Sequence, residues 1–149
     1  MTVINTCALA TSGAVWCAGS NAFGGLGDGS PMFMNATTPR AVTGVSDAVE
    51  VVSGGHAICV RRGDASVWCW GAWAQDLVNP TSYEQHPTPA AMPLGSGAMR
   101  VYAGGNDATS LGLCGWYGGA DLRCVGTSPG EGSSATALPA RVNWTGRGL

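Results

Sequence analysis

The sequence feature that most constrains the fold is a repeated pair of cysteines. The six cysteines form three pairs, each separated by ten residues: Cys7 and Cys17, Cys59 and Cys69, and Cys114 and Cys124. Pro39, Pro89 and Pro139 lie 50 residues apart. A fixed period of this length indicates an array of small units that bury a core only by packing against one another. We therefore treat residues 1–149 as a single domain with three repeats, at approximately 1–56, 57–106 and 107–149.

Each repeat contains a segment suited to a β-hairpin. If Cys7 lies opposite Cys17 on antiparallel strands, Leu9 lies opposite Val15 and Thr11–Gly13 remains as a three-residue loop. Gly13 supplies the left-handed backbone that such loops need. The chain has 24 glycines and 8 prolines, and it has no helical apolar stripe longer than two turns. The sequence therefore predicts an all-β protein.

The cysteine pairs are best interpreted as disulfides. Residues that face each other on antiparallel strands can be close enough for the bonds Cys7–Cys17, Cys59–Cys69 and Cys114–Cys124. Buried free thiols are the main alternative, and a zinc site is disfavoured because zinc-binding cysteines are usually about two to four residues apart. Disulfides indicate an extracellular or cell-surface protein, although the sequence shows no signal peptide.

Charge and hydropathy exclude several classes of partner. All seven basic residues are arginines, and nine acidic residues bring the formal net charge to −2. Without a basic face to neutralise phosphates, we expect no nucleic-acid partner. The uncharged segment Met1–Gly27 is interrupted by polar residues and glycines, so we expect no membrane span.

No recurring set of residues indicates catalysis. His56 and His86 are the only histidines, and no Ser, Cys or Asp pattern completes a triad with them. We expect a structural hydrogen bond for His56 and a loop position for His86. Three aspartates adjoin glycine turns, where Asp accepts hydrogen bonds from backbone amides: Asp28, Asp64 and Asp121. The sequence thus predicts no enzyme, and no metal, cofactor or small-molecule substrate.

The aromatic residues fall into two groups. Trp16, Trp68 and Trp70 flank the second cysteine of their repeats, and we expect them in the core. Four aromatic residues depart from the repeat and are candidates for a contact surface: Phe33, Trp73, Trp116 and Trp144. Asn35 and Asn143 fit the acceptor pattern for N-glycosylation.

The first repeat resembles a known family. Its glycine-rich segment Gly19–Gly29 follows Val-Trp-Cys at Val15–Cys17 and precedes Pro39, and it is similar to the repeat of the regulator of chromosome condensation family. The second repeat keeps Val67–Gly71, and the third keeps Leu122–Gly126 and little else. The resemblance implies a β-propeller in which each repeat makes a four-stranded blade. The paired cysteines resemble the bacterial, secreted-type branch of the family.

Three blades imply an incomplete ring or an open array that needs other molecules to cover its ends. The third repeat lacks an equivalent of Val49–Gly55, so we expect Ala140–Leu149 of one copy to meet Thr2–Cys7 of another. Such a head-to-tail contact produces a ring or a fibre. The loops Pro31–Thr38 and Asn79–Pro89 would face a partner.

The predicted function is a non-enzymatic, extracellular scaffold that acts through protein contacts, with copies of itself as the expected partner. The alternative is a secreted propeller that binds or inhibits a partner protein. Guanine-nucleotide exchange, which the nuclear members of the family imply, ranks behind both because a fold alone does not determine function.

Overall fold

A computed structural model describes residues 5–74, 83–105, 111–126 and 140–141. Every regular element in these ranges is a β-strand, and every strand pair is antiparallel. The prediction of an all-β fold is confirmed. No helix that could cross a membrane occurs in the ranges described.

The strands form three sheets that follow one another along the chain. The first sheet contains β1 Asn5–Leu9, β2 Val15–Gly19 and β3 Ala36–Ala41. The second contains β4 Ala48–Gly54, β5 His56–Arg62, β6 Val67–Ala74 and β7 Tyr83–Ala91. The third contains β8 Arg100–Gly104, β9 Gly112–Trp116, β10 Leu122–Gly126 and β11 Ala140–Arg141. In each of the four-stranded sheets, neighbouring strands are consecutive in the chain.

The sheet boundaries are shifted from the repeat boundaries that we placed on the sequence. β4 precedes the boundary at 56/57 but pairs with β5, and β8 precedes the boundary at 106/107 but pairs with β9. The shift arises because the cysteine pairs lie on the two central strands of each four-stranded sheet, whereas the sheet begins one strand earlier. Each of these sheets therefore crosses a sequence repeat boundary.

The cysteine hairpins have the predicted register. Cys7 pairs with Cys17 and Leu9 with Val15, and Gly13 has a φ of 87° in the loop between them. In the second hairpin the left-handed position is taken by Ala65, with a φ of 64°. An Asp64 carboxylate that accepts hydrogen bonds from the Ser66 amide and hydroxyl holds that turn.

The core consists of two apolar layers between successive sheets. The cysteine-bearing face of the first sheet packs on the second sheet, where Val15, Cys17, Ile58, Val60 and Trp70 are all buried. The cysteine-bearing face of the second sheet packs on the third in the same way. The buried residues there include Cys59, Cys69, Trp73, Val101, Leu113 and Val125. The sheets are therefore stacked with one orientation, cysteine face against the opposite face of the next sheet.

The second and third sheets approach most closely where β4 and β8 end. A Cβ atom at Gly54 would lie 2.5 Å from the backbone nitrogen of Gly104, so no larger residue fits without displacement. The Gly55 amide also donates a hydrogen bond to the Gly105 carbonyl, at 3.0 Å. A backbone-to-backbone contact therefore joins these two sheets at this edge.

Candidate protein-interaction faces

The paired cysteines lie on the same face of each sheet. The sulfurs of Cys7 and Cys17, of Cys59 and Cys69, and of Cys114 and Cys124 are 2.08 to 2.10 Å apart, as disulfides. The three bonds differ in how well they are covered. Cys59 and Cys69 are 0% exposed beneath the third sheet, whereas Cys114 and Cys124 are partly exposed.

The cysteine-bearing face of the third sheet is a mostly apolar surface that no described residue covers, with the exposed Arg100 opposite Trp116 on the same face. Tyr102 is 55% exposed there, and it pairs directly with Cys114. Trp116 and Leu122 face each other across β9 and β10 on the same side. A shallow cavity of about 320 Å³ lies on this face, lined by Tyr102, Trp116, Gly119, Ala120 and Leu122. The structure thus places Trp116, a sequence candidate, on an open apolar surface.

The opposite end of the stack exposes the outer face of the first sheet. We expected Trp16 in the core, and this prediction was wrong because Trp16 is 44% exposed. Its neighbours Val15 and Cys17 point toward the second sheet, so strand alternation directs Trp16 away from it. The equivalent residue of the second sheet, Trp68, is packed against the first sheet, and Trp70 is fully buried.

Trp73 does not belong to a contact surface, contrary to its place among our candidates. It is 8% exposed, and its ring stacks on His86 with 3.9 Å between ring centroids. Trp73 lies on β6 on the same face as Cys69, and this face is covered by the third sheet. The candidates Asn143 and Trp144 lie outside the described residues.

Phe33 is the most exposed large apolar residue of the described chain, at 75%, and Met34 beside it is 52% exposed. Phe33 has a φ of 66°, a conformation that is unfavourable for a residue with a side chain. Its amide donates a hydrogen bond to the Asn21 carbonyl. Asn35, the glycosylation candidate, is exposed, and its side-chain oxygen accepts a hydrogen bond from the Asn21 amide at 2.9 Å.

Asn21 is the residue in this region that sequence reasoning missed. It is 1% exposed, and its side-chain amide donates to the Ser30 carbonyl, the Ser30 hydroxyl and the Pro31 carbonyl. Its side-chain oxygen accepts a hydrogen bond from the Leu26 amide, at 3.2 Å. The only signal was its position within the glycine-rich segment, where a buried amide can hold a long turn together. Asn21 therefore fixes the loop that displays Phe33.

The acidic residue of the glycine-rich segment is used within the turn. Asp28 accepts a hydrogen bond from the Ser30 amide at 3.0 Å and forms an ion pair with Arg40 at 3.2 Å. Burial raises the pKa of Asp28, but the Ser30 hydrogen bonds and Arg40 together outweigh it, so the pKa lies below its ordinary value. Among the described residues, no group of three or more His, Cys, Asp or Glu could hold a metal ion.

The two histidines do not come together. His56 stacks on Phe23, with ring centroids 4.2 Å apart, and its buried Nδ1 does not make the structural hydrogen bond that we expected of this residue. His86 lies in β7, so its predicted loop position was wrong. Its Nε2 is 3.6 Å from Glu84, which is too long for a hydrogen bond.

The environment of His86 predicts a loss of stability in mild acid. Burial lowers its pKa below the ordinary value of 6.5, and Glu84 opposes this only in part. The unfolded chain therefore takes up a proton before the folded chain does, so stability falls as the pH drops below about 6.5. We expect the melting temperature of the wild type to fall more between about pH 7.5 and 5.5 than that of His86→Phe, which keeps a ring on Trp73. Equal losses would contradict this.

Comparisons with known proteins identify the fold. No protein-family model and no curated protein matches the sequence. Human WBSCR16 superposes with a TM-score of 0.68 and 20% identity over 93% of this chain and 35% of its own. Yeast RCC1 (Prp20), solved bound to Kap60, gives 0.68 and 16%, over 95% of this chain and 35% of its own. Saccharomyces cerevisiae Prp20p, whose structure is titled with its binding properties to Gsp1p and histones, gives 0.68 and 16%, over 95% and 36%.

These identities are low, so the likeness concerns the fold. The chain spans about a third of the length of the solved structures that it matches. Its three stacked antiparallel sheets correspond to blades of those proteins, as the resemblance of the first repeat implied. The described chain therefore has the fold of an RCC1-like β-propeller, with part of the ring present.

Proposed function

We propose that this chain is a non-enzymatic scaffold that acts through protein contacts and that its sheets stack on those of other copies, head to tail. The observation that supports the proposal is a pair of faces, one at each end of the stack, that the described part of the chain leaves uncovered. Their equivalents on the second sheet are buried. Val67, for example, is 2% exposed, whereas its counterpart Leu122 on the third sheet is partly exposed.

The exposed faces favour association because apolar surface gains about 25 cal/mol for each Å² removed from water. Aromatic side chains dominate the energetics of protein interfaces, and both faces carry tryptophan. The two faces are different surfaces, so a contact between copies is heterologous and closes into a ring or continues as a fibre. The expected junction of Ala140–Leu149 with Thr2–Cys7 lies largely outside the described residues, so the proposal rests on the sheet faces.

We also propose that the protein acts outside the cell or at its surface, as the secreted-type resemblance implies. The support is the set of three cysteine pairs at bonding distance, since disulfides persist in oxidising compartments. The solved neighbours add support for a role in protein binding, because yeast RCC1 (Prp20) was solved bound to Kap60.

Sedimentation velocity on unreduced protein tests the proposal. We expect the weight-average mass to rise with concentration above the 15.0 kDa of one chain. Phe33→Ala is the matched control, because it removes an exposed aromatic side chain from the loop between β2 and β3 rather than from a strand of either end face, and it should associate as the wild type does. A mass of one chain at all concentrations up to the millimolar range would contradict self-association.

A second candidate function is the binding of a different protein through the Phe33 loop. The observation that favours it is the combination of an exposed aromatic tip with a loop conformation that Asn21 holds in advance. A loop that is already ordered loses less conformational entropy on binding. Under this alternative, Phe33→Ala would weaken a one-to-one complex with the partner and leave the mass of the isolated chain unchanged. Guanine-nucleotide exchange ranks behind both candidates, because no observation on the described residues favours it.

A further inference from the structure

The cavity on the third sheet has the composition of a surface that is buried elsewhere in this chain. Between the first and second sheets, Trp68 packs against a buried cluster that includes Val15 and Cys17, and Cys7 and Leu9 pack against the same cluster. These four first-sheet residues belong to its cysteine-bearing face. The structure therefore shows, at one place, how a tryptophan of one sheet packs on the cysteine-bearing face of the neighbouring sheet.

The cavity-bearing face repeats these four positions of the first sheet. Counting from the cysteines, Cys114 and Cys124 correspond to Cys7 and Cys17. Trp116 corresponds to Leu9, since each lies two residues after the first cysteine of its pair. Leu122 corresponds to Val15, since each lies two residues before the second cysteine of its pair. The register of the two hairpins is identical. The face of the third sheet is thus the same type of receiving surface, with larger apolar side chains.

The matching donor is also present in the chain. Trp16 directly precedes Cys17, as Trp68 directly precedes Cys69, so the two tryptophans occupy equivalent positions on β2 and β6. Trp68 is packed in the layer between sheets, whereas Trp16 is 44% exposed. One chain therefore carries an exposed tryptophan at one end and, at the other end, a surface of the type on which its equivalent packs.

We propose that Trp16 of one copy packs into the cavity formed by Tyr102, Trp116 and Leu122 of a second copy, in the register of the contact between the first and second sheets. This inference rests on the proposed function and names the side chains that make the joint. The occupant is a second copy because both halves of the contact, donor and cavity, are found on this chain. The shallow apolar cavity has a volume of about 320 Å³, so a bulky aromatic side chain can occupy part of it.

Two single variants interrupt the joint from opposite sides. Trp16→Ala removes the inserting ring, and Tyr102→Glu places a charge at the rim of the cavity. Both positions are exposed, at 44% and 55%, so the variants are expected to fold, and thermal unfolding confirms this before use. Because aromatic residues at the centre of an interface commonly account for large losses, Trp16→Ala should weaken self-association by roughly 30-fold or more.

Mixing the two variants gives the decisive measurement. Trp16→Ala keeps an intact cavity, and Tyr102→Glu keeps an intact Trp16, so an equimolar mixture can form one functional joint. We expect each variant alone to sediment as a monomer at concentrations where the mixture forms a complex of two chains. Phe33→Ala is the control for the loss of an aromatic side chain outside the joint, and it is mixed with each variant in place of the other one. Because it retains both Trp16 and the cavity, both of its end faces should still make the contact.

The outcomes separate this inference from the proposed function. A wild type that remains monomeric overturns the proposed function, and this inference with it. A wild type that assembles while Trp16→Ala and Tyr102→Glu assemble equally well overturns this inference alone. Loss of assembly in both variants without complementation in the mixture also overturns it, since the joint requires that the two faces meet each other.

Discussion

Full reduction of the disulfides is expected to unfold the protein at ambient temperature. Each bond closes a loop with a sequence separation of 10, and a loop of that size contributes about 2.7 kcal/mol through the lost entropy of the unfolded chain. Three such contributions total about 8 kcal/mol, which is comparable with the whole free energy of unfolding of a small domain, at about 5–15 kcal/mol. The sheets are small, so burial of apolar surface contributes little additional free energy of unfolding to compensate for the lost disulfides.

Circular dichroism melts with and without a phosphine reductant, at a concentration where the chain is monomeric, measure this effect. Mass spectrometry after alkylation shows how many thiols are released. Coverage predicts an order: Cys114–Cys124 should be reduced before Cys59–Cys69, because the latter pair is 0% exposed. An unchanged melt after release of six thiols would contradict the prediction, and free thiols in unreduced protein would contradict the bonds themselves.

Trp70→Ala is expected to lower the free energy of unfolding by about 3–5 kcal/mol. The Trp70 side chain is 0% exposed between the first and second sheets, and its Nε1 donates a hydrogen bond to the Gly25 carbonyl at 3.1 Å. The ring also lies against Gly27, where a Cβ would come within 2.8 Å of it. Truncation therefore leaves a cavity and removes the hydrogen bond that holds the glycine-rich segment to the second sheet. The Gly25 carbonyl is then left unpaired.

Urea unfolding of monomeric protein gives the measurement, with Trp16→Ala as a matched control for the same chemical change. Trp16 is 44% exposed and belongs to neither buried layer, so its truncation should cost well under half as much as that of Trp70. Equal losses for the two variants would mean that Trp70 does not join the sheets. A difference in the denaturant slope would instead indicate that the first sheet unfolds separately.

The fold could be predicted because its signals are local and repeated. Cysteine spacing and the loop at Thr11–Gly13 determine the hairpin register, and the structure has that register. Burial could not be predicted in the same way, since alternation along a strand separates two faces without identifying which is covered. Trp16 and Trp68 illustrate this limit, because they have the same position in their repeats but different neighbours.

The interaction faces were predicted least well. Trp73 interrupts the repeat pattern in the sequence, yet it lies in the layer between the second and third sheets and stacks on His86. Deviation from a repeat identifies an unusual side chain, but it does not show whether the unusual environment is inside or outside. Asn21 escaped notice for the converse reason, since its importance comes from hydrogen bonds across the loop to Ser30 and Pro31, which the residue type and its neighbours do not reveal.

The glycine contact between β4 and β8 has a consequence for the curvature of any larger assembly. Because Gly54 has no side chain, the backbones of β4 and β8 come together at that edge, and the close spacing of the second and third sheets there depends on this residue. The angle between neighbouring sheets sets how many sheets complete a full turn of a propeller. A side chain at position 54 would separate the two sheets at this edge and so alter the curvature of any assembly built from copies of the chain.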